Sequence, residues 1–150
     1  MTPEQLRQRF RMFARDVVLF AAPLFRRAMT FDAAKQLIRS ARGAASMYRA
    51  SGRSRSHREF TSTIAEALEE ADEAQFWLEH LLDCKLVPED RANILLTEAS
   101  ELTAILTKSF TTARENDERL RPRQGQPRRQ PGSGQQDEFW SGAVGDDSAL

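Results

Sequence analysis

The sequence predicts an all-α protein, an up-down four-helix bundle over residues 1–119 with a disordered C-terminal tail over 120–150. Three observations predict it. Apolar residues recur three and four apart in four successive segments, the spacing that gathers them on one face of a helix. Glycine is scarce up to residue 119, whereas "RLRPRQGQPRRQPGSGQQDEFWSGAVGDDSAL" (119–150) is rich in Pro, Gly, Gln and Ser. Such a tail buries too little apolar surface to offset its ordering entropy. Finally, 150 residues that are 40% apolar and 29% charged suffice for one core with a solvated surface.

The first helix carries Leu6, Phe10, Phe13, Val17, Phe20 and Leu24, alternating four and three apart. Pro23 lies late in that pattern. It lacks a backbone donor and clashes with the preceding turn, so a kink or an early end is expected there. The second helix is expected to start near Thr30 or Asp32, either of which can cap it. Its stripe is Ala34, Leu37, Ile38, Ala41, Ala45 and Tyr48. The central "SARGAAS" is small enough for a neighbouring helix to approach closely, and Ser51-Gly52 supplies a stop, with Gly52 free to turn left-handed.

The third helix opens at "SHRE", where Ser56 and Glu59 form a capping box ahead of Phe60. Its stripe continues through Ile64, Ala67, Ala71, Ala74, Leu78 and Leu81. In the fourth, Pro88 suits the first turn, Glu89 and Asp90 suit the positive end of the dipole, and Leu95, Ala99, Leu102, Leu106, Phe110 and Ala113 form the stripe. Short connections between four amphipathic helices give the up-down bundle.

Several function classes lack support. No apolar run approaches the length of a membrane span. Basic residues followed by an apolar run at the N-terminus read as an amphipathic helix rather than a signal peptide. Cys84 is the only cysteine, so no internal disulfide forms, which suits a reducing, cytoplasmic setting. Neither His57 nor His80 has the Glu three positions earlier that a di-iron bundle requires. His80 and Cys84 stand one turn apart without further ligands for zinc. With no phosphate loop and no nucleophile–base motif, neither catalysis nor a cofactor is expected.

Charge is the informative feature. The chain is neutral overall, with 22 basic and 22 acidic residues. Yet between residues 35 and 58 it carries Lys35, Arg39, Arg42, Arg49, Arg53, Arg55 and Arg58 and no acid, and from Glu59 to Asp83 it carries acids and no Lys or Arg. On a wheel at about 100° per residue, Lys35, Arg39, Arg42, Arg49 and Arg53 share one flank of the second helix. Glu59, Glu66, Glu70 and Glu73 share one flank of the third, in a row that Trp77 ends. In antiparallel helices the flanks that meet have the same rotational sense. The basic row lies clockwise of its stripe and the glutamates lie anticlockwise of theirs, so the two are expected on opposite sides of the hairpin. Asp72 and Glu79 would then lie near Lys35 and Arg39, while Arg42, Arg49 and Arg53 would face Thr61, Ala65 and Leu68.

The stretch 34–113 resembles a family of small four-helix bundles first known from reading frames in intervening sequences of bacterial 23S ribosomal RNA genes. The residues that carry the resemblance are "QLIRSA" (36–41), "YR" (48–49), "RSHREF" (55–60), "EALEEADEAQFWLE" (66–79) and "EASELTAIL" (98–106). Two positions depart from it: Met47 stands where the family usually has Asn, and Ala50 where it usually has Glu. The resemblance implies a bundle assembled as a cyclic pentamer. It also implies kinship with the accessory protein of diversity-generating retroelements, a basic barrel that binds nucleic acid and partners a reverse transcriptase.

Together with the divided charge, this makes a head-to-tail ring the expected assembly, because a subunit basic on one side and acidic on the other complements its own copy. Lys35, Arg39, Glu59, Glu66, Glu70, Glu73 and Trp77 are the expected subunit contacts. Arg42, Arg49, Arg53, Arg55 and Arg58 are the expected contacts to RNA or DNA, with Arg121, Arg123, Arg128 and Arg129 of the tail able to add to them. The alternative is a purely structural assembly whose charges serve only its subunits. Phe139 and Trp140, in "DEFWSG", stand out as a candidate docking motif in the tail.

Overall fold

The structure, a computed structural model, describes residues 1–122. The expected disordered tail, with Phe139 and Trp140, lies outside the described residues from position 123 onward. Helix α1 spans Pro3–Ala21, α2 Ala28–Ser51, α3 His57–Asp83 and α4 Glu89–Leu120, with a 3-10 turn at Ala22–Arg26 between the first two. Each helix packs on its neighbours in chain order, and α1 closes the square against α4. This is the up-down bundle the sequence predicts.

The helix ends follow local chemistry. Thr2 caps α1 in a full capping box with Gln5, ahead of Pro3 in the first turn. Pro23 sits in the 3-10 turn that ends the first helical stretch, as expected. The start of α2 differs from the sequence reading. It begins at Ala28 after Arg27, which provides no side-chain cap. Thr30 is buried inside the helix, and its hydroxyl donates to the Leu24 carbonyl at 2.6 Å, tying α2 to the 3-10 turn. Gly52 also differs. Its φ of −67° is ordinary right-handed backbone. The positive φ falls instead at Lys85, in the α3–α4 turn. Ser56 does cap α3, accepting from the Glu59 amide at 3.1 Å, but the Glu59 carboxylate bonds the Arg55 amide at 2.8 Å rather than that of Ser56.

The core is continuous along the bundle and includes Phe10, Val17, Leu37, Ile64, Leu78, Leu81, Leu102 and Leu106, each essentially inaccessible. Burying a side chain of this size contributes about 1.5–3 kcal/mol. The stripes of α1, α3 and α4 follow the predicted spacing, with Ala21, Thr61 and Ala92 added and with Phe60 and Phe110, assigned to the core from sequence, only partly buried. In α2 the buried face is Thr30, Ala33, Ala34, Leu37, Ser40, Ala41, Ala44 and Ser51. Ile38, Ala45 and Tyr48, assigned to the core from sequence, are only partly buried. At 100° per residue, the true stripe is rotated about 50° from the expected one, towards the smallest residues.

Helix α4, with 32 residues, is about 48 Å long, against about 28 Å for the 19 residues of α1. Its last turns lie along the start of α3. There the ring Nε2 of His57 sits 2.9 Å from the Ala113 carbonyl and 3.6 Å from the Asp117 carboxylate. Among the described residues no helix is long and apolar enough to cross a membrane.

Candidate nucleic-acid interface

The rotation of α2 rearranges the charges. Arg39 does not stand clockwise beside Asp72 and Glu79. It reaches round the other side of α2 to the glutamate row of α3, pairing with Glu70 at 3.2 Å and with Glu73 at 2.5 Å. The rule that flanks of like sense meet still holds, but Arg39 lies on the other flank once the stripe is centred on Leu37. Gly43 makes the crossing possible. A Cβ there would lie 2.8 Å from Cδ of Glu70, so the Glu70 carboxyl group occupies space that any other residue would fill.

Glu70, Glu73 and Arg39, expected at a subunit interface, pair with one another within the subunit. The bond from Arg39, together with one from Trp77, holds the Glu73 carboxyl below its ordinary range. Trp77 is part of this internal network: half-buried, it donates from Nε1 to Glu73 at 3.3 Å and packs edge-on against Phe76 and His80. Glu59 is absorbed by the α2–α3 turn, where it also meets Arg55 at 3.5 Å. Lys35 and Glu66 remain exposed and belong to no ion pair among the described residues.

The remaining arginines form a different surface. Arg42, Arg49, Arg53 and Arg58 are exposed, and no ion pair among the described residues includes them. Arg49 and Arg53 do not face α3. They line a cup at the seam with α1, together with Glu4, Arg7, Arg11, Ala45 and Gly52. This corrects the expected juxtaposition with Thr61, Ala65 and Leu68. Arg53, Arg55 and Arg58 cluster at the α2–α3 turn, beside the N-terminal end of α1, so one end of the bundle concentrates basic side chains.

Sequence reasoning missed three features. Arg9 joins α1 to α4, with Nε and Nη2 on the two oxygens of Glu98 at 2.8 and 2.7 Å and a further contact to Glu101. These bonds raise the Arg9 pKa further. The pairing spans 89 positions, so only the pattern of one basic residue on the flank of α1 and Glu98 and Glu101 one turn apart on α4 could have signalled it. The second feature is the contribution of Arg7 and Arg11 to the basic end. The third is an apolar strip on the α1–α4 seam, where Leu19 and Ile94 are 62% and 71% exposed beside Phe20 and Leu95. His80 and Cys84 lie 3.8 Å apart, and among the described residues no group of three or more potential ligands surrounds them.

The family model for the 23S rRNA-intervening sequence protein matches residues 5–108, most of the four helices. The chain belongs to this family. A crystal structure of a protein of unknown function from the S23 ribosomal protein family of Bacteroides thetaiotaomicron superposes with a TM-score of 0.66. It shares 22% identity, and the alignment covers 70% of this chain and 97% of that one. At that identity the likeness carries the fold alone. No curated protein sequence matches the chain. The family's bundle is thus the architecture seen here, with the Arg39–Glu70–Glu73 cluster falling inside two of the segments that carry the sequence resemblance.

Proposed function

We propose that this chain is a non-enzymatic scaffold that assembles with itself into a ring of five subunits and associates with nucleic acid through Arg42, Arg49 and Arg53. The observation that carries the reading is the division of labour among the arginines of α2 and the turn that follows it. Arg39 is neutralised inside the subunit, while Arg42, Arg49 and Arg53 stand exposed with no carboxylate partner among the described residues. Exposed guanidinia of this kind contact phosphates and supply sequence-independent affinity. Arg55 and Arg58 extend the surface around the turn. A reverse transcriptase or another ribonucleoprotein component is the protein partner that the family resemblance implies.

The self-assembly half of the reading draws support from Leu19 and Ile94, exposed side by side with Phe20 and Leu95 on the α1–α4 seam, an adjacency that a subunit contact would cover. Lys35 and Glu66 remain available to bias register. With Glu70 and Glu73 already paired, charge plays a smaller part in the contact than apolar area.

The test joins mass and binding on the same samples. Native mass spectrometry reports the subunit number, and fluorescence anisotropy reports binding to single-stranded RNA across a salt series. The expected log–log slope is about −0.7 per phosphate contact. Replacing Arg42, Arg49 and Arg53 with Gln is expected to flatten the slope and weaken all sequences alike while the assembly mass stays constant. An intact ring that binds neither RNA nor DNA at about 50 mM salt would exclude the nucleic-acid half and leave a purely structural assembly. A monomer at micromolar concentration would exclude the ring.

A further inference from the structure

Four arginines line one cup at the α1–α2 seam, which shares Arg49 and Arg53 with the proposed nucleic-acid contacts. Arg7 and Arg11 of α1, Arg49 of α2 and Arg53 of the α2–α3 turn line it, with Glu4 the one acidic residue among its lining, and its volume is about 310 Å³. The Glu4 carboxylate is already occupied, accepting from Nε and Nη2 of Arg7 at 3.0 and 2.7 Å. Arg11 has a neutral partner, Gln8, at 3.2 Å. Four guanidinium charges thus meet one carboxylate, leaving an excess that a single phosphodiester would not neutralise. The four side chains come from two helices and the turn that follows the second, and they line one shared volume.

Gly52 belongs to the construction of the cup. Its backbone is ordinary, so the glycine is not there for a left-handed turn. A Cβ at this position would lie 2.9 Å from Nη1 of Arg7. The absent side chain lets the Arg7 guanidinium settle against the end of α2, within the same volume as Arg49 and Arg53. The α1 N-terminus and the α2 C-terminus meet at this end with opposite partial charges, so the positive charge of the cup comes from its side chains.

We propose that the cup binds a terminal polyphosphate group, the di- or triphosphate carried by a nucleotide or by the 5′ end of an RNA. The charge matches, since a phosphomonoester carries about two negative charges and each further phosphate adds about one. Guanidinium forks bind phosphate oxygens bidentately, so four of them can hold adjacent phosphates where lysines would act only as point charges. For an RNA end this rests on the proposed association with nucleic acid. For a free nucleotide it stands without it.

The test uses the full chain at fixed ionic strength, with inorganic tripolyphosphate as the first probe and sulfate as the comparator, read by calorimetry. Tripolyphosphate is expected to bind well above sulfate. Arg11→Gln and Arg53→Gln are each expected to weaken it about tenfold, as loss of one charge-assisted contact implies. Arg53→Lys, which keeps the charge but not the fork, is expected to fall between. Arg26→Gln, on the exposed 3-10 turn away from the cup, controls for general loss of charge and is expected to stay within about twofold. Circular dichroism establishes that each variant is folded.

The second probe is one RNA sequence with a 5′-triphosphate or a 5′-hydroxyl end. A preference for the triphosphate that Arg53→Gln abolishes identifies the RNA end as the source. Equal binding of both RNAs, with tripolyphosphate still bound, identifies a free nucleotide. Tripolyphosphate binding without RNA binding would retain the cup and remove the nucleic-acid reading. Tripolyphosphate that binds no better than sulfate, or loses as much to Arg26→Gln as to Arg53→Gln, overturns the cup as a polyphosphate site and leaves Arg42, Arg49 and Arg53 only as the proposed contacts to a nucleic-acid backbone.

Discussion

Replacing Gly43 with Ala tests the contact that separates Arg39 from the other arginines of α2. Two effects oppose each other. Gly in the middle of a helix is destabilising relative to Ala by roughly 0.5–1 kcal/mol, so the substitution gains that much from the backbone. The new Cβ, however, would sit 2.8 Å from Cδ and 3.0 Å from Oε2 of Glu70. Glu70 must swing away, weakening its 3.2 Å pair with Arg39, whose side chain is half exposed. Pairs of that exposure are worth about 0.2–1 kcal/mol. Arg39 keeps Glu73, so no charge is stranded. The two effects are expected to cancel to within about 0.5 kcal/mol. In a Glu70→Ala background nothing obstructs the Cβ, and the same Gly43→Ala change is expected to gain the full amount. The coupling energy of the double-mutant cycle is therefore about 0.5–1 kcal/mol. Urea unfolding at one protein concentration measures it, provided the slope of the transition is unchanged. Equal gains in both backgrounds would mean that the Glu70 carboxyl does not lie over Gly43. A loss beyond about 2 kcal/mol in both would mean that the obstruction is not a movable side chain.

Two further outcomes follow from the ion pairs. Arg9→Met keeps an apolar stem but removes both bonds to Glu98, whose side chain is 30% exposed, and the contact to Glu101. It is expected to lower unfolding stability by about 1–2 kcal/mol, the usual worth of hydrogen bonds to charged groups in a partly exposed site. An unchanged urea midpoint would refute the seam-closing role. The Glu73 carboxyl is held below its ordinary value of 4.5, first by Arg39. A carboxylate with a depressed folded-state pKa contributes stability above its unfolded pKa and loses it as pH falls through the folded one. The stability advantage of wild type over Glu73→Gln should therefore be constant above that value and shrink as the solution is acidified below it. An advantage that persists unchanged at low pH would show that Glu73 acts through packing alone.

The spacing of apolar residues determined the number of helices, three of the four buried stripes and the place where Pro23 ends the first helical stretch, because these follow from a period set by backbone hydrogen bonding. The quoted motifs, not the spacing, carried the resemblance to the family. The absence of acids between residues 35 and 58 determined that a basic surface would exist. It did not determine which arginines would form that surface. That was decided by how α2 rolls against its neighbours. The sequence pattern ranked Ile38, Ala45 and Tyr48 as core because they are apolar, whereas packing chose Ala33, Ser40 and Ala44 because small residues let two helix backbones approach. A roll of about 50° is half of one residue step at 100° per residue, too small to disturb the periodicity. It is enough to carry Arg39 from one flank to the other. The pairing of Arg9 with Glu98, the seating of Arg7 against Gly52 and the meeting of arginines from α1 with those at the end of α2 likewise depend on residues far apart in the chain. One-dimensional spacing records which side chains share a face of one helix. Which faces meet depends on the volume between helices, and only the folded packing decides that.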